Sequence, residues 1–391
     1  MFVDPKRFAD SQLGSPVKTA GLGGYWAYVP KPLPRALELD SQTVMLLSKA
    51  DRAVGRLAGA GRLLPNPHLL IQPYVTREAL ASSRIEGTQA SLSDVFDARA
   101  RQSAEGPIRE VTNYIGALEF GLSALARLPI SRRLLCGAHE VLMRDARGQE
   151  RLPGEVRRSQ NWIGSPDNRP DTAVFVPPPV VEMEQAFSEL EKFLHGPTSL
   201  PPLVEIAMIH YQFETIHPFL DGNGRLGRLL IAYLLIEKEL LPQPLLYLSA
   251  YFELRRSDYY DNLQRVRETG DLGGWLDFFL VGVAEQSTDA INRAEALADL
   301  REGYRSRFRG DRSRAIEVVD LVFENPILVT SHVATRLGIT LQNALTHLRK
   351  LQGYGIIEEV KGVPGRSKRW RAVEVLHALD PEFDSATGPR C

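Results

Sequence analysis

Cysteine is nearly absent: Cys136 and Cys391 are the only two in 391 residues, too few for a disulfide framework and without metal-ligand spacing. That scarcity suits a reducing compartment, so a cytoplasmic setting is expected. Long apolar runs are missing as well. The longest, Leu229 to Ile236, stops at Glu237 and Lys238, far short of the roughly 20 residues that cross a bilayer, so no membrane partner is expected. The opening stretch MFVDPKRFADSQLGSP holds no apolar centre of the kind an export signal uses. Charge of one sign is absent too, since 47 Lys and Arg against 48 Asp and Glu leave a net charge of -1. Any attraction to nucleic acid must therefore be local.

What is present is a chain of about twice the usual single-domain length, long enough for two or three domains. Boundaries are expected near 110 and 300: an N-terminal arm and helical region over 1–110, a core over 111–300 and a small module over 301–391. The first 35 residues are dense in Gly and Pro and are expected to be irregular. From Ala36 to Leu64 apolar residues recur at helical spacing, with Val44, Leu46, Leu47, Ala50, Val54, Leu57 and Ala58 as the stripe to be buried. Further helices are expected over Thr76 to Glu86, ending at Gly87, over Val180 to Leu194, ending at Gly196-Pro197, and from Pro201-Pro202 to Ile216. Strand signals are sparse, except in DTAVFVPPP, where Thr172 to Val176 is β-prone and halted by three prolines.

The chemistry concentrates in HPFLDGNGRLGR, His217 to Arg228. Gly222-Asn223-Gly224 can turn successive backbone N–H groups toward one point, and the helix signalled by Leu226, Leu229, Leu230, Tyr233 and Leu234 adds its positive N-terminal end. Arg225 and Arg228 fall in the first turn of that helix, where cations oppose the dipole by about 0.3–1 kcal/mol each unless an anion is bound. Asp221 is a hard-oxygen ligand suited to Mg²⁺ that also holds phosphate oxygens. His217 is the group here that titrates near neutral pH.

This stretch matches every fixed position of HxFx(D/E)GNGRxxR and so resembles the Fic family of nucleotidyltransferases. The resemblance implies a mainly α fold: an all-helical core with a short β-hairpin flap. It implies that AMP moves from ATP to a Ser, Thr or Tyr hydroxyl of a target protein, which could be the chain itself. His217 would be the base, Asp221 would hold Mg²⁺, and Gly222, Asn223, Gly224, Arg225 and Arg228 would grip the phosphates. Phe219 reads as packing under the loop. The same resemblance makes Ser82 to Gly87, SSRIEG, an inhibitory motif in which Glu86 reaches Arg228 in place of the γ-phosphate. It makes Thr172 to Pro178, with Phe175 and Val176, the flap, and puts Tyr259 and Tyr260 near the adenine. His139 and His210 read as ordinary structural histidines, and neither is expected to bind metal.

From Ile327 to Ala372 the sequence resembles a winged helix, a small α+β module. Ser331 is expected to cap one helix and Thr340 the next, with Gly338 between them. Ile356 to Val360 and Arg369 to Val373 would pair across a loop carrying Lys361, Arg366, Lys368, Arg369 and Arg371. That basic wing, with Gln342, Asn343 and His347, could contact DNA or dock protein. A DNA-binding regulator using the core as a nucleotide sensor is therefore the alternative to an enzyme. Another transferred group, removal of AMP, and a homodimer also stay open.

Overall fold

The computed structural model describes residues 7–19, 24–63, 67–147, 150–360 and 368–381. In chain order the elements are β1 (Gly14–Lys18), β2 (Trp26–Pro30), α1 (Ser41–Leu63), α2 (Pro67–Ile85), α3 (Leu92–Arg101), α4 (Pro107–Leu125), α5 (Arg132–Met143), α6 (Val180–His195), α7 (Pro202–Ile216), α8 (Asn223–Glu237), α9 (Ser249–Leu254), α10 (Arg256–Thr269), α11 (Gly273–Ser306), α12 (Ala315–Glu324), β3 (Ile327–Val329), α13 (Thr330–Leu337), α14 (Leu341–Gly353), β4 (Glu358–Glu359), β5 (Arg369–Arg371) and α15 (Val373–Leu379). The fold is mainly helical with small antiparallel sheets. No described helix is long and apolar enough to cross a membrane. The chain divides into two compact units, one of residues 1–58 and 113–287 and the other of 59–112 and 288–391.

In the first unit, α7 and α8 form the central hairpin. Every residue of α7 from Leu203 to Ile216 is buried, as is α8 from Arg225 to Leu235. Helices buried on every face form the centre of a core, and the short link between the two makes them antiparallel neighbours. Gly227 permits the close approach, since a Cβ there would sit 3.2 Å from Phe213 and 2.3 Å from the Glu214 carboxylate. Around this hairpin, α6 buries Met183, Phe187, Leu190 and Phe193 at helical spacing. In α1 the buried stripe is Ala50, Val54 and Leu57, while Val44, expected in that stripe, is 49% exposed and Thr43 is buried instead.

The N-terminal arm corrects the expectation of irregular chain. β1 and β2 pair antiparallel, Gly14 opposite Pro30 and Lys18 opposite Trp26. The ribbon holds because it packs: Tyr28 is buried with Phe8 and Phe175, and its ring lies where a Cβ on Gly14 would come within 2.6 Å. The flap is slighter than a hairpin. A 3-10 turn at Pro170–Thr172 leads to a single bridge between Ile163 and Phe175.

In the second unit, α2 starts earlier than expected and runs through Pro73. Its other helices include α12, α13 and α14, with a three-stranded antiparallel sheet in the order β3-β5-β4. Gly338 closes α13 in the left-handed region at φ 61°, and the Thr340 hydroxyl accepts from the Asn343 amide to cap α14. Ser331 lies inside α13, whose N-cap is Val329, so the expected cap is corrected. The β3 strand and α15 were not foreseen. Lys361 and Arg366 of the basic loop lie outside the described residues.

Candidate functional site

The end of α7 and the start of α8 place the motif in one turn. His217 is the C-cap of α7, in the left-handed region at φ 49°, ψ 61°, with its amide donating to Phe213 O. Its Nδ1 lies 3.3 Å from the carbonyl of Glu214. A carbonyl can only accept, so that contact keeps the proton on Nδ1 and the lone pair on Nε2, the tautomer a base requires.

Gly222 then caps α8 at φ 78°. A Cβ at that position would meet the sulfur of Met143 at 2.8 Å, so the turn demands glycine for space as well as torsion. The first bond inside α8 runs from the Leu226 amide to Gly222 O. The amides of Asn223, Gly224 and Arg225 precede it at the positive end of the helix. Gly222's own amide donates to Asp221 Oδ1 at 2.6 Å, so it is not part of that open set. The Asn223 side chain is also engaged: Oδ1 accepts from the Phe219 amide at 2.9 Å and Nδ2 donates to Phe219 O at 2.8 Å. Expected as a phosphate donor, Asn223 has only its backbone to offer.

Arg225 is 2% exposed. Its Nη2 faces Met143 Sδ at 3.5 Å and Asp221 Oδ1 at 3.6 Å, while Nε and Nη1 have no hydrogen-bond partner among the described residues. Donors on a buried guanidinium are costly to leave unused. Arg228, one turn on, is also buried. Asp221 keeps 43% of its side chain exposed beside these groups. No cluster of three His, Cys, Asp or Glu side chains suited to a metal ion occurs among the described residues.

Three neighbours hold this turn and were not singled out for it. Arg157 is 1% exposed. Its Nε donates to His217 O at 3.0 Å, Nη2 to Pro178 O at 2.5 Å, Nη1 to Ser159 O at 3.2 Å, and its amide to Pro218 O at 2.9 Å. Burial pulls the guanidinium down to about 10, which leaves it charged at neutral pH. Asn161 Nδ2 donates to Phe219 O at 2.8 Å. His139 stacks on Phe219 with ring centres 4.0 Å apart, accepts from the Gly154 amide at Nδ1 and meets Asp221 O at Nε2, both at 2.9 Å. Burial drops this imidazole to about 4. Read as an ordinary structural histidine, His139 is structural, and what it structures is the site. In VRRSQN nothing marks Arg157 as the inward arginine. The buried Val156 beside it is a weak signal.

Other expected site residues fall elsewhere. Phe175 and Val176 are each 1% exposed, with Phe175 in the Phe8–Tyr28 cluster and 3.8 Å under the Arg267 guanidinium. The backbone of Phe175 is spent on Ile163, and Val176 O accepts from the Tyr28 amide. Tyr259 is 1% exposed, stacked on Phe252 and bonded through its hydroxyl to His210 Nε2 at 2.9 Å. It is core, which corrects its placement at an adenine, and Tyr260 is 40% exposed. His210 is structural as expected, its Nδ1 directed to Gly227 O at 3.0 Å and its imidazole pushed down to about 3 by burial. In the other unit, Ser82 is fully buried in α2, and Glu86 follows the end of that helix with its amide donating to Ser83 O. Gly87 takes φ 91° there.

Residues 44–123 match the model of the Fic/DOC family N-terminal region, and residues 129–235 match the Fic/DOC family model. The chain is similar to proteins named protein adenylyltransferase Fic from Culex quinquefasciatus and Aedes aegypti, each 33% identical over 127 residues. The match covers 32% of this chain and spans only 22% of the length of those relatives. Among solved structures, a Fic family protein from Desulfovibrio desulfuricans G20 aligns over 86% of this chain and 97% of its own, with TM-score 0.56 and 23% identity. Fic-1 from C. elegans aligns over 64% of this chain and 72% of its own, with TM-score 0.51 and 21% identity. These likenesses bear on the fold.

Proposed function

Because the chain belongs to the Fic/DOC family, we propose that it is a protein adenylyltransferase, moving AMP from ATP to a Ser, Thr or Tyr hydroxyl of a protein. The observation that carries the reading is Arg225: a buried cation with two unused donors, beside the open amides of Asn223, Gly224 and Arg225 and within the same turn as an imidazole in the tautomer of a base. A polyphosphate supplies what that arrangement lacks.

In the reaction, His217 Nε2 takes the hydroxyl proton as the oxygen attacks the α-phosphorus of ATP. The α–β bridging bond breaks and pyrophosphate carries away the electron pair, so the products are the AMP ester and pyrophosphate. The α8 amides and Arg225 hold developing charge in place, and Arg228 is assigned the γ-phosphate. Asp221, its side chain partly exposed beside the phosphate site, is the carboxylate that would hold Mg²⁺ together with phosphate oxygens and water. The ion would supply positive charge to the leaving pyrophosphate.

The regulatory part of the reading is that Ser82 and Glu86 belong to an inhibitory motif and that Glu86 competes with the γ-phosphate for Arg228. Residues 111–300 are proposed as the catalytic region and 301–391 as a winged helix. A DNA role for that module is the weaker reading. Lys368, Arg369 and Arg371 each pair with an acid, respectively Glu359 at 2.8 Å, Asp97 at 2.9 Å and Glu358 at 2.6 Å. Cations so engaged favour protein docking over phosphate contacts.

The test is incorporation of label from α-labelled ATP into the chain or into extract proteins. Glu86→Gly is expected to raise it. His217→Ala in that background is expected to abolish it while ATP still binds, since only the base is removed. Label retained without His217 excludes the mechanism, and label unchanged by Glu86→Gly excludes the inhibitory role.

A further inference from the structure

We propose that Arg157 and His139 are positioning residues with separate duties at this site: the guanidinium sets the base, and the imidazole sets the phosphate-facing loop. The inference rests on the reaction proposed above. Neither group touches a reacting atom, and neither lies in the motif.

Arg157 joins two segments that are distant in sequence. Through Nε it holds the carbonyl of His217, and through Nη2 the carbonyl of Pro178, where the chain leaves the Phe175–Val176 segment. Pro177, Pro178 and Pro179 offer no N–H of their own, so this run cannot be tied by a strand ladder. It is tied by its carbonyls instead, with Gln160 Nε2 donating to Pro177 O at 2.9 Å. On the other side, the bonds from Arg157 and Asn161 reach the carbonyls of His217, Pro218 and Phe219 in succession. Residues 157–161 thus form a strap fixing the three successive peptide planes that follow the base, while the plane before it is held by the His217 amide bond to Phe213 O. His217 sits in the left-handed region, where its side-chain direction follows those planes closely. The bonds come from a charged donor held in a fixed fork, which a lysine would not reproduce.

His139 acts four residues further along the motif. Because Nδ1 accepts from the Gly154 amide, the proton lies on Nε2 and is donated to Asp221 O. That carbonyl belongs to the peptide entering Gly222, whose φ of 78° turns the chain into α8. A Cβ on Gly222 would stand 3.3 Å from His139 Nε2, so ring and turn are in close contact. Fixing this peptide aims the open amides of Asn223, Gly224 and Arg225. Stacking on Phe219 keeps the ring in place.

The two duties predict opposite kinetic signatures in the full chain, read in the Glu86→Gly background. Binding of methylanthraniloyl-labelled ATP with Mg²⁺ reports the phosphate side, and the saturating rate of transfer from α-labelled ATP reports the base side. Arg157→Lys is expected to lower the transfer rate about a hundredfold with affinity within about twofold, the scale expected of a misplaced reacting group. His139→Phe keeps the stack but loses both bonds. It is expected to weaken affinity about tenfold with the saturating rate nearly unchanged. His139→Gln, whose amide can donate to Asp221 O, is expected to restore most of that affinity. Should Arg157→Lys fail to fold by melting temperature, Asn161→Ala loosens the same strap, with an expected rate loss of about tenfold. Parallel loss of affinity and rate in both variants, or loss of neither, overturns the assignment. A parent that binds the labelled ATP but transfers nothing overturns the enzymatic reading and the duty of Arg157 with it, while the affinity of His139→Phe still decides the other half. A parent that binds no ATP overturns both.

Discussion

Replacing Asn223 with alanine separates a residue that binds nucleotide from one that shapes the turn. The side chain is 1% exposed and spends both ends on the backbone of buried Phe219. Alanine removes both bonds without a helix penalty at the first position of α8. Phe219 O keeps the bond from Asn161 Nδ2, so losing one of its two donors costs about 1 kcal/mol. The Phe219 amide keeps no partner and contributes about 1–3 kcal/mol as an orphaned buried donor, for a total of about 2–4 kcal/mol. Urea unfolding followed by tryptophan fluorescence, to which Trp275, 1% exposed in the same unit, contributes, measures it. Asn223→Asp is a useful companion, since a carboxylate can accept from the amide but cannot donate to the carbonyl. An Asn223→Ala chain with unchanged urea stability and tenfold weaker ATP binding would refute the reasoning, because the side chain would then contact the ligand instead of the turn.

Two further outcomes follow from buried charge. Arg225→Met removes a desolvated cation that Asp221 compensates only from 3.6 Å. The ATP-free protein is expected to unfold about 1–4 kcal/mol harder while ATP affinity falls at least about tenfold; a destabilised variant in thermal melts contradicts this. His210 is held neutral in the fold, its imidazole down at about 3 against the ordinary 6.5. Above pH 6.5 neither state is protonated there and the stability is fully present; as pH falls from 6.5 toward 3 the unfolded chain alone takes the proton and stability is lost. The slope is about 1.4 kcal/mol per pH unit, so wild type should lose about 2 kcal/mol more than His210→Asn between pH 7 and 5 in urea titrations. Equal losses would place the titrating group elsewhere.

Helices were legible where pattern and punctuation agreed. In α6 the apolar spacing and Gly196-Pro197 both pointed to the observed end, and Pro201-Pro202 announced α7. The motif could be read because its residue types are unusual together at that spacing. What stayed hidden depends on partners distant in sequence. β1 and β2 are dense in Gly and Pro yet pair because Tyr28 finds a buried place beside Phe8 and Phe175. In the doublet Tyr259-Tyr260 local sequence does not tell which ring turns inward, and the His210 bond settles that for Tyr259. Asn223 looked like a ligand donor because its two backbone bonds exist only once the chain has doubled back. Arg157 and Arg158 are indistinguishable as letters, and only the carbonyls waiting in another segment separate them.

The antiparallel hairpin of α7 and α8 has an electrical consequence. Peptide dipoles in each helix point the same way along the chain, so the carbonyl end of one and the amide end of the other meet at a single bend. His217 stands at the electron-rich pole, where an imidazolium is welcome, and Gly224 a few residues on stands at the electron-poor pole, where phosphate is welcome. In the proposed transfer the bend would therefore sort the two charges created, the cation to one side and the departing anion to the other.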